Sequence, residues 1–230
     1  NNMARYAFGV DIGGTTAKLG LFEDNGSLLD KWEIPTGREN NGAAILPDIA
    51  YSIRNKMQEK EISHEQVVGV GVGAPGAVDD AGVLVNGAVN LGWGVFNLSE
   101  ELGKLLDLKV IAANDANVAA YGEMWQGGGK GYDSLVAVTL GTGVGGGIII
   151  NGRMLNGATG GGGEIGHIHI EDNESEACGC KNKGCLEQYA SATGVVRLAR
   201  RALAATNEPS VLRERPIEIL SAKAVFDAAK

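Results

Sequence analysis

A strand, a glycine-rich turn and a hairpin follow one another twice along this chain, and that repetition limits the possible folds more than any other feature of the sequence. In the first copy the apolar run Arg5–Asp11 ends in Asp11-Ile12-Gly13-Gly14-Thr15-Thr16. A second run, Ala17–Phe22, an Asp24-Asn25-Gly26 turn and a third run, Leu28–Ile34, come next. In the second copy Ser134–Leu140 enters Gly141-Thr142-Gly143-Val144-Gly145-Gly146-Gly147, followed by Ile148–Ile150, an Asn151-Gly152 turn and Arg153–Leu155. Two copies of one supersecondary unit imply two related domains whose glycine turns can face a shared cleft. The 36 glycines support this, because they gather at such junctions between apolar runs and not in one low-complexity tract. Backbone without Cβ atoms is what a closely approached ligand requires.

Between the copies Ile45, Ile49, Ile53 and Met57 recur every four residues and predict an amphipathic helix, with Pro47 tolerated in its first turn. Val67–Gly73 and Lys109–Ala113 predict buried strands. Asn97 and Glu100 have the spacing of a helix N-cap before Leu102, Leu105 and Leu106, and a further helix is expected over Ala116–Gln126. Strands alternating with helices give an α/β class, with a domain boundary expected near Asn114–Gly131 and domains of 1–115 and 116–230. The end of the chain, Leu198–Lys230, reads as helices broken at Pro209 and Pro216.

Composition narrows the function. A formal charge of −8 argues against a nucleic-acid surface, which needs concentrated Lys and Arg. No apolar run approaches the ~20 residues of a membrane span and no signal-peptide stretch opens the sequence, so the cytoplasm is the expected compartment. The 3 cysteines, crowded into Cys178, Cys180 and Cys185, fit a metal site in a reducing compartment better than a disulfide framework. With one upstream histidine they would complete a tetrahedral Cys₃His zinc site; His167 and His169 both stand at a suitable distance along the chain.

The first glycine turn can present the N–H groups and hydroxyls of Gly13, Gly14, Thr15 and Thr16 to phosphate oxygens, with Asp11 holding Mg²⁺ directly or through water. The turn lacks the GxxxxGK[ST] pattern, which excludes the P-loop class. Gly141, Thr142 and Gly143 offer a second phosphate-binding wall. Read alone, each turn is also an ordinary hairpin connection, and Asp115 an ordinary helix cap.

Taken in order, DIGGTT (11–16), GVGAPGAVD (71–79), NDANVAAYGE (114–123), TLGTGVGGGII (139–149), GEIGH (163–167) and CGCKNKGCLEQ (178–188) resemble the ROK family of sugar kinases and related repressors, within the actin, hexokinase and Hsp70 superfamily. The likeness runs from about Ala7 to Gly194, and is greatest to the bacterial glucokinases of that family. It implies two ribonuclease H-like domains around a cleft, a homodimer, and transfer of the ATP γ-phosphate, with Mg²⁺, to a hexose, glucose at its 6-hydroxyl above all. It assigns Asp115 as general base, Asn114, Glu164, His167 and Glu187 to the sugar, and backbone contacts to Gly76. It assigns His167 with Cys178, Cys180 and Cys185 to a structural zinc. Asn90 and Trp93 lie in a loop that is less decisively similar and stay outside the expected site. Kinases of the family continue beyond the position of Lys230, so a C-terminal portion is expected to be missing here. N-acetylmannosamine or N-acetylglucosamine kinase is the alternative within the class; a sugar sensor without catalysis and a ROK-type repressor are the alternatives outside it.

Overall fold

The computed structural model, which describes residues 4–158 and 160–230, divides into two compact units. Unit 1 runs to Leu135 and takes in Ile148–Gly162; unit 2 comprises Val136–Gly147 and Gly163–Lys230. The expected division after Asp115 would cut between a strand and the helix that follows it, whereas contacts keep that helix with unit 1.

Unit 1 opens with β1 (Tyr6–Ile12), β2 (Thr16–Glu23) and β3 (Leu28–Pro35), a single turn α1 (Glu39–Gly42) and the long helix α2 (Ile45–Glu59). It continues with β4 (Val67–Ala74), the short strands β5 (Val83–Leu84) and β6 (Phe96–Asn97), α3 (Leu98–Leu106), β7 (Val110–Asn114) and α4 (Asp115–Gln126). Its main sheet has the order β3-β2-β1-β4-β7, in which β1, β4 and β7 are parallel and β1–β2–β3 form the antiparallel meander predicted from the sequence. The four-residue period of α2 buries Ile45, Ile49, Ile53 and Met57. On α3, Leu98, Leu102 and Leu106 are buried. These side chains meet Phe8, Val10, Leu19, Leu21, Val70 and Val72 of the sheet in one core. Each such aliphatic side chain stabilises the unit by about 1.5–3 kcal/mol relative to exposure. The Asn97 side chain accepts from Glu100 N at 2.9 Å, as the capping spacing predicts.

The second copy of the repeated plan is a three-stranded sheet of β8 (Leu135–Leu140), β9 (Val144–Ile150) and β10 (Arg153–Met154). Its order, β10-β9-β8, repeats the β3-β2-β1 order of the first copy. The Asn151-Gly152 turn has φ of 51° and 73°, which suits a tight hairpin between β9 and β10. One element differs from expectation: β9 begins at Val144, so Gly145–Gly147 belong to the strand and not to the turn. The reason is packing, since a side chain at Gly146 would strike the Gly163 carbonyl and Ile165. The helices of unit 2 are α5 (Glu187–Ala190), α6 (Ala192–Ala205), which Ser191 caps by accepting from Gly194 N at 2.9 Å, and α7 (Ala222–Ala228). None of the described helices is long and apolar enough to cross a membrane.

Candidate active site and metal centre

In unit 1 the parallel strands deliver three candidate segments to one edge of the sheet. Asp11 pairs with Gly73, and Ala74 pairs with Asn114, so the ends of β1, β4 and β7 are level. Crevices beyond the carboxyl ends of parallel strands are where open α/β sheets bind ligands. Past β1 the chain reverses tightly, with Gly13 N donating to Thr16 O at 3.0 Å. A Cβ on Gly13 would lie 2.7 Å from that carbonyl, so only glycine fits. Thr36, at the end of β3, pins this turn twice: its Oγ1 donates to Gly13 O at 2.8 Å and its N to Thr15 O at 2.9 Å. Beside the turn is a cavity of about 410 Å³ lined by Gly14, Thr15, Thr36, Arg38 and Asn90 among others.

Asn114 closes β7 and starts α4. Its Oδ1 accepts from Ala116 N at 3.0 Å, and its Nδ2 donates to Gly76 O at 2.9 Å, so one amide both caps the helix and ties the Gly76 loop to it. One Asp115 oxygen accepts from Ala116 N at 2.7 Å; the other has no hydrogen-bond partner among the described residues. Solvent reaches the Asp115 side chain, but the protein crowded around it removes enough water to raise its carboxyl above the ordinary value. The bond from Ala116 opposes that rise and the negative charge of Asp11 adds to it. A carboxylate made more basic, with one oxygen uncommitted, suits proton abstraction.

In unit 2 the β8–β9 turn is held from three sides. Ala192 N donates to Gly141 O at 2.8 Å, Thr193 Oγ1 donates to Thr142 O at 2.7 Å, and Val144 N donates to Glu187 Oε2 at 2.9 Å. A side chain on Gly143 would run into the Glu187 carboxylate. Glu187 therefore braces the glycine turn with one oxygen, while the other lies 3.8 Å from Cys178 Sγ.

His167, Cys178, Cys180 and Cys185 bring four ligand atoms within 4.8 Å of one another. The Cys180 and Cys185 sulfurs are 3.6 Å apart, close to the ~3.8 Å edge of a tetrahedron with Zn–S bonds of about 2.3 Å. Without an ion, burial and the neighbouring thiols push Cys185 up to about 12, and a bound cation is what would favour its thiolate. His167 turns Nδ1 towards Cys178 Sγ at 3.6 Å and Nε2 towards Glu164 at 3.9 Å, so its two ring nitrogens are divided between the cluster and the Glu164 carboxylate. His169, the other histidine at a suitable spacing, is exposed and engaged with Asp172 at 2.8 Å and the Lys183 carbonyl at 2.9 Å, outside the cluster.

The ROK family model matches residues 7–229. The chain belongs to the ROK family. A glucokinase from Halalkalibacterium halodurans is 43% identical over 98% of this ROK chain, which spans 68% of that relative. An N-acetylmannosamine kinase from Escherichia coli O157:H7 is 34% identical over 88% of this chain and 67% of its own length. Among solved structures, the ROK glucokinase of Streptomyces griseus in complex with glucose and AMPPNP matches with a TM-score of 0.74 and 34% identity, over 97% of this chain and 70% of that one. The ROK chain thus has the α/β, actin/hexokinase-type fold expected of it, in a sequence shorter than those of these relatives. Three contacts that hold the candidate glycine turns of the ROK chain have no local sequence signature: Thr36 on Gly13, Thr193 on Thr142 and Glu187 on Val144 join residues 23, 51 and 43 positions apart.

Proposed function

We propose that this chain phosphorylates a hexose, with ATP as donor and glucose 6-hydroxyl as acceptor. The observation that carries the reading is Asp115: a carboxyl of raised basicity, with one free oxygen, on the same sheet edge as Asp11 and the first glycine turn. In the reaction Asp115 takes the proton of the sugar hydroxyl as its oxygen bonds to the γ-phosphorus. The bond from that phosphorus to the β,γ-bridging oxygen breaks, and ADP leaves. The N–H groups of Gly14, Thr15 and Thr16, and those of Thr142 and Gly143, hold phosphate oxygens, whereas Gly13 N and Gly141 N are committed to Thr16 O and Gly143 O and only shape the turns; Asp11 would hold the Mg²⁺ that neutralises the triphosphate.

Glu164 and Glu187 accept sugar hydroxyls, and His167 offers Nε2. Asn114, with its oxygen and one N–H committed, has one N–H for the sugar, and the Gly76 loop that it fixes supplies backbone contacts. The donor set of His167 and three cysteines fits zinc; four protein ligands would leave no open position, so these residues would use the ion to keep the loop in shape and not for the chemistry. The carrying test is ADP release with glucose, N-acetylmannosamine and N-acetylglucosamine as acceptors. Fastest turnover is expected with glucose. Preference for N-acetylmannosamine would move the chain to the other ROK kinase class, and sugar binding without ADP release would make it a sensor.

A further inference from the structure

The segment from Ile168 to Glu187 carries the three cysteines and ends at Glu187, yet it has little regular structure: its ladder pairing is two isolated bridges, His169 with Cys185 and Ala177 with Lys183. The cysteine cluster gathers part of it. Within the same segment the Glu174 side chain is completely buried although it is a carboxylate. It accepts from Tyr189 Oη at 2.6 Å, Arg197 Nη1 at 2.9 Å and Arg201 Nη2 at 2.6 Å, while Glu176 N donates to Glu174 Oε1 at 2.9 Å. The Arg201 guanidinium first, then the Tyr189 hydroxyl, hold this carboxyl well below the usual range, so it is ionised. A buried charge with that many donors is satisfied; deprived of them it would not stay buried.

The side-chain donors belong to α5 and α6, and they lead back to the cysteine loop by a second route. Arg197 Nη2 donates to Gln188 O at 2.8 Å, Gln188 Nε2 donates to Glu176 O at 3.0 Å, and Cys185 N donates to Gln188 Oε1 at 3.1 Å. Gln188 is buried and adjoins Glu187. Glu174 therefore closes a polar ring that runs through Arg197, Gln188 and Glu176 and touches the backbone of a cysteine ligand.

We infer that Glu174 is a positioning residue, a metal-independent anchor that, through Arg197 and Gln188, holds Cys185 and Glu187 in place by bonds that do not pass through the thiols. The consequence for Glu187 rests on the sugar-binding reading above; the anchoring itself does not. With the metal removed, the Cys185 end of the loop stays ordered and the His167–Cys180 end loosens. With Glu174 also removed, nothing fixes Cys185, and the metal site must assemble from a mobile loop.

The test is amide hydrogen exchange on the full chain stripped of metal by a chelator, read at Cys185 N and compared between the wild type and Glu174→Ala. Slow exchange is expected in the stripped wild type, and exchange at least tenfold faster in the variant, with Glu174→Gln between them because it keeps an acceptor but loses the charge. The zinc-loaded Glu174→Ala protein is further expected to give up its ion to a chromogenic chelator about tenfold faster, the size of effect seen when groups behind metal ligands are removed. If Glu174→Ala does not fold, Arg201→Ala, whose side chain is 39% exposed, replaces it and should speed the same amide. Equal exchange in stripped wild type and variant, or no protection in the stripped wild type, overturns the inference. Failure of the kinase reading would appear elsewhere, as absence of ADP release by the wild type, and would leave these exchange rates intact. Where turnover is measurable, the sugar KM should rise about tenfold, and the ATP KM should rise with it because Glu187 also braces the Gly141–Gly143 turn.

Discussion

The two units reach order by different means. The entire hydrophobic cluster, from Phe8 to Ala112, lies in unit 1. In unit 2 the buried apolar side chains are Val144, Cys178, Cys185 and Leu220 among the described residues, and buried beside them are Glu174, Gln188 and Ser191. Unit 1 fixes Asp11 and Asp115 at the ends of strands whose positions are set by packed aliphatic side chains. Unit 2 fixes Glu187, at the start of the short α5, and His167, at the end of a single 3-10 turn, through thiols, a carboxylate and guanidinium groups. Glycine-rich backbone supplies few large side chains to bury, so such a segment needs directional bonds where other segments use area. Apolar packing tolerates partial loss, whereas a polar ring fails when one member leaves its partners unsatisfied.

The largest expected effect concerns the rigid unit. Replacing Asp115 by Asn should lower kcat by roughly 10²–10⁴, the usual contribution of a general base, with sugar affinity and zinc content unchanged. The pH profile sharpens this. Activity needs the ionised carboxylate, so kcat/KM falls as pH drops through the Asp115 pKa, and that limb should lie above the ordinary carboxylate value of about 3.9. The sign for stability is opposite. A carboxyl raised by folding contributes stability that is fully present below its unfolded pKa and is lost as pH rises through the folded one. Asp115→Asn should therefore unfold at slightly higher denaturant than wild type at neutral pH, and a variant that unfolds earlier would show that the carboxylate is structural.

Next in size is Ile53→Ala, which removes a fully buried side chain of α2. Loss of about 2–5 kcal/mol is expected, within the range for truncating a core aliphatic. If the contrast between the units holds, hydrogen exchange should quicken across β1, β4 and α2, and zinc should stay bound to an unaltered cysteine loop. Zinc loss in Ile53→Ala would mean that the two units depend on each other for stability and that the contrast between them is false.

The parts of this arrangement that were legible in the sequence are those with local grammar. The period of four in α2, the Asn97 cap, the turn chemistry of Asn151-Gly152 and the spacing of Cys178, Cys180 and Cys185 all act within a few residues, and each is realised in the structure. His167 and His169 both have a suitable spacing; only the fold turns the His167 Nδ1 towards the thiols and leaves His169 with Asp172. The start of β9 is hidden in the sequence because Gly145–Gly147 have low strand propensity, and their reason for being in a strand is the neighbouring Gly163 and Ile165 chain. The Glu174 ring was not legible at all. Glu174 lies among Glu171, Asp172 and Glu176, a run that reads as a solvated acidic loop until α6 brings Arg197 and Arg201 to it.

The smallest predicted effect compares the units most directly, because each glycine turn is pinned by one threonine hydroxyl. Thr36 Oγ1 donates to Gly13 O in unit 1, and Thr193 Oγ1 donates to Thr142 O in unit 2. Valine matches threonine in shape and removes only the donor. At the partly buried Thr36 the carbonyl would lose a partner that water replaces poorly, and about 1 kcal/mol should be lost. Thr193 is exposed, water can reach the Thr142 carbonyl, and Ala192 N still holds the turn through Gly141 O. Thr193→Val should therefore cost no more than about 0.5 kcal/mol, as exposed substitutions usually do. Chemical denaturation of the two variants side by side measures the difference. A larger loss for Thr193→Val would place the weak point of unit 2 at its glycine turn, and the Glu187 brace on Val144 N would then be insufficient to hold that turn alone.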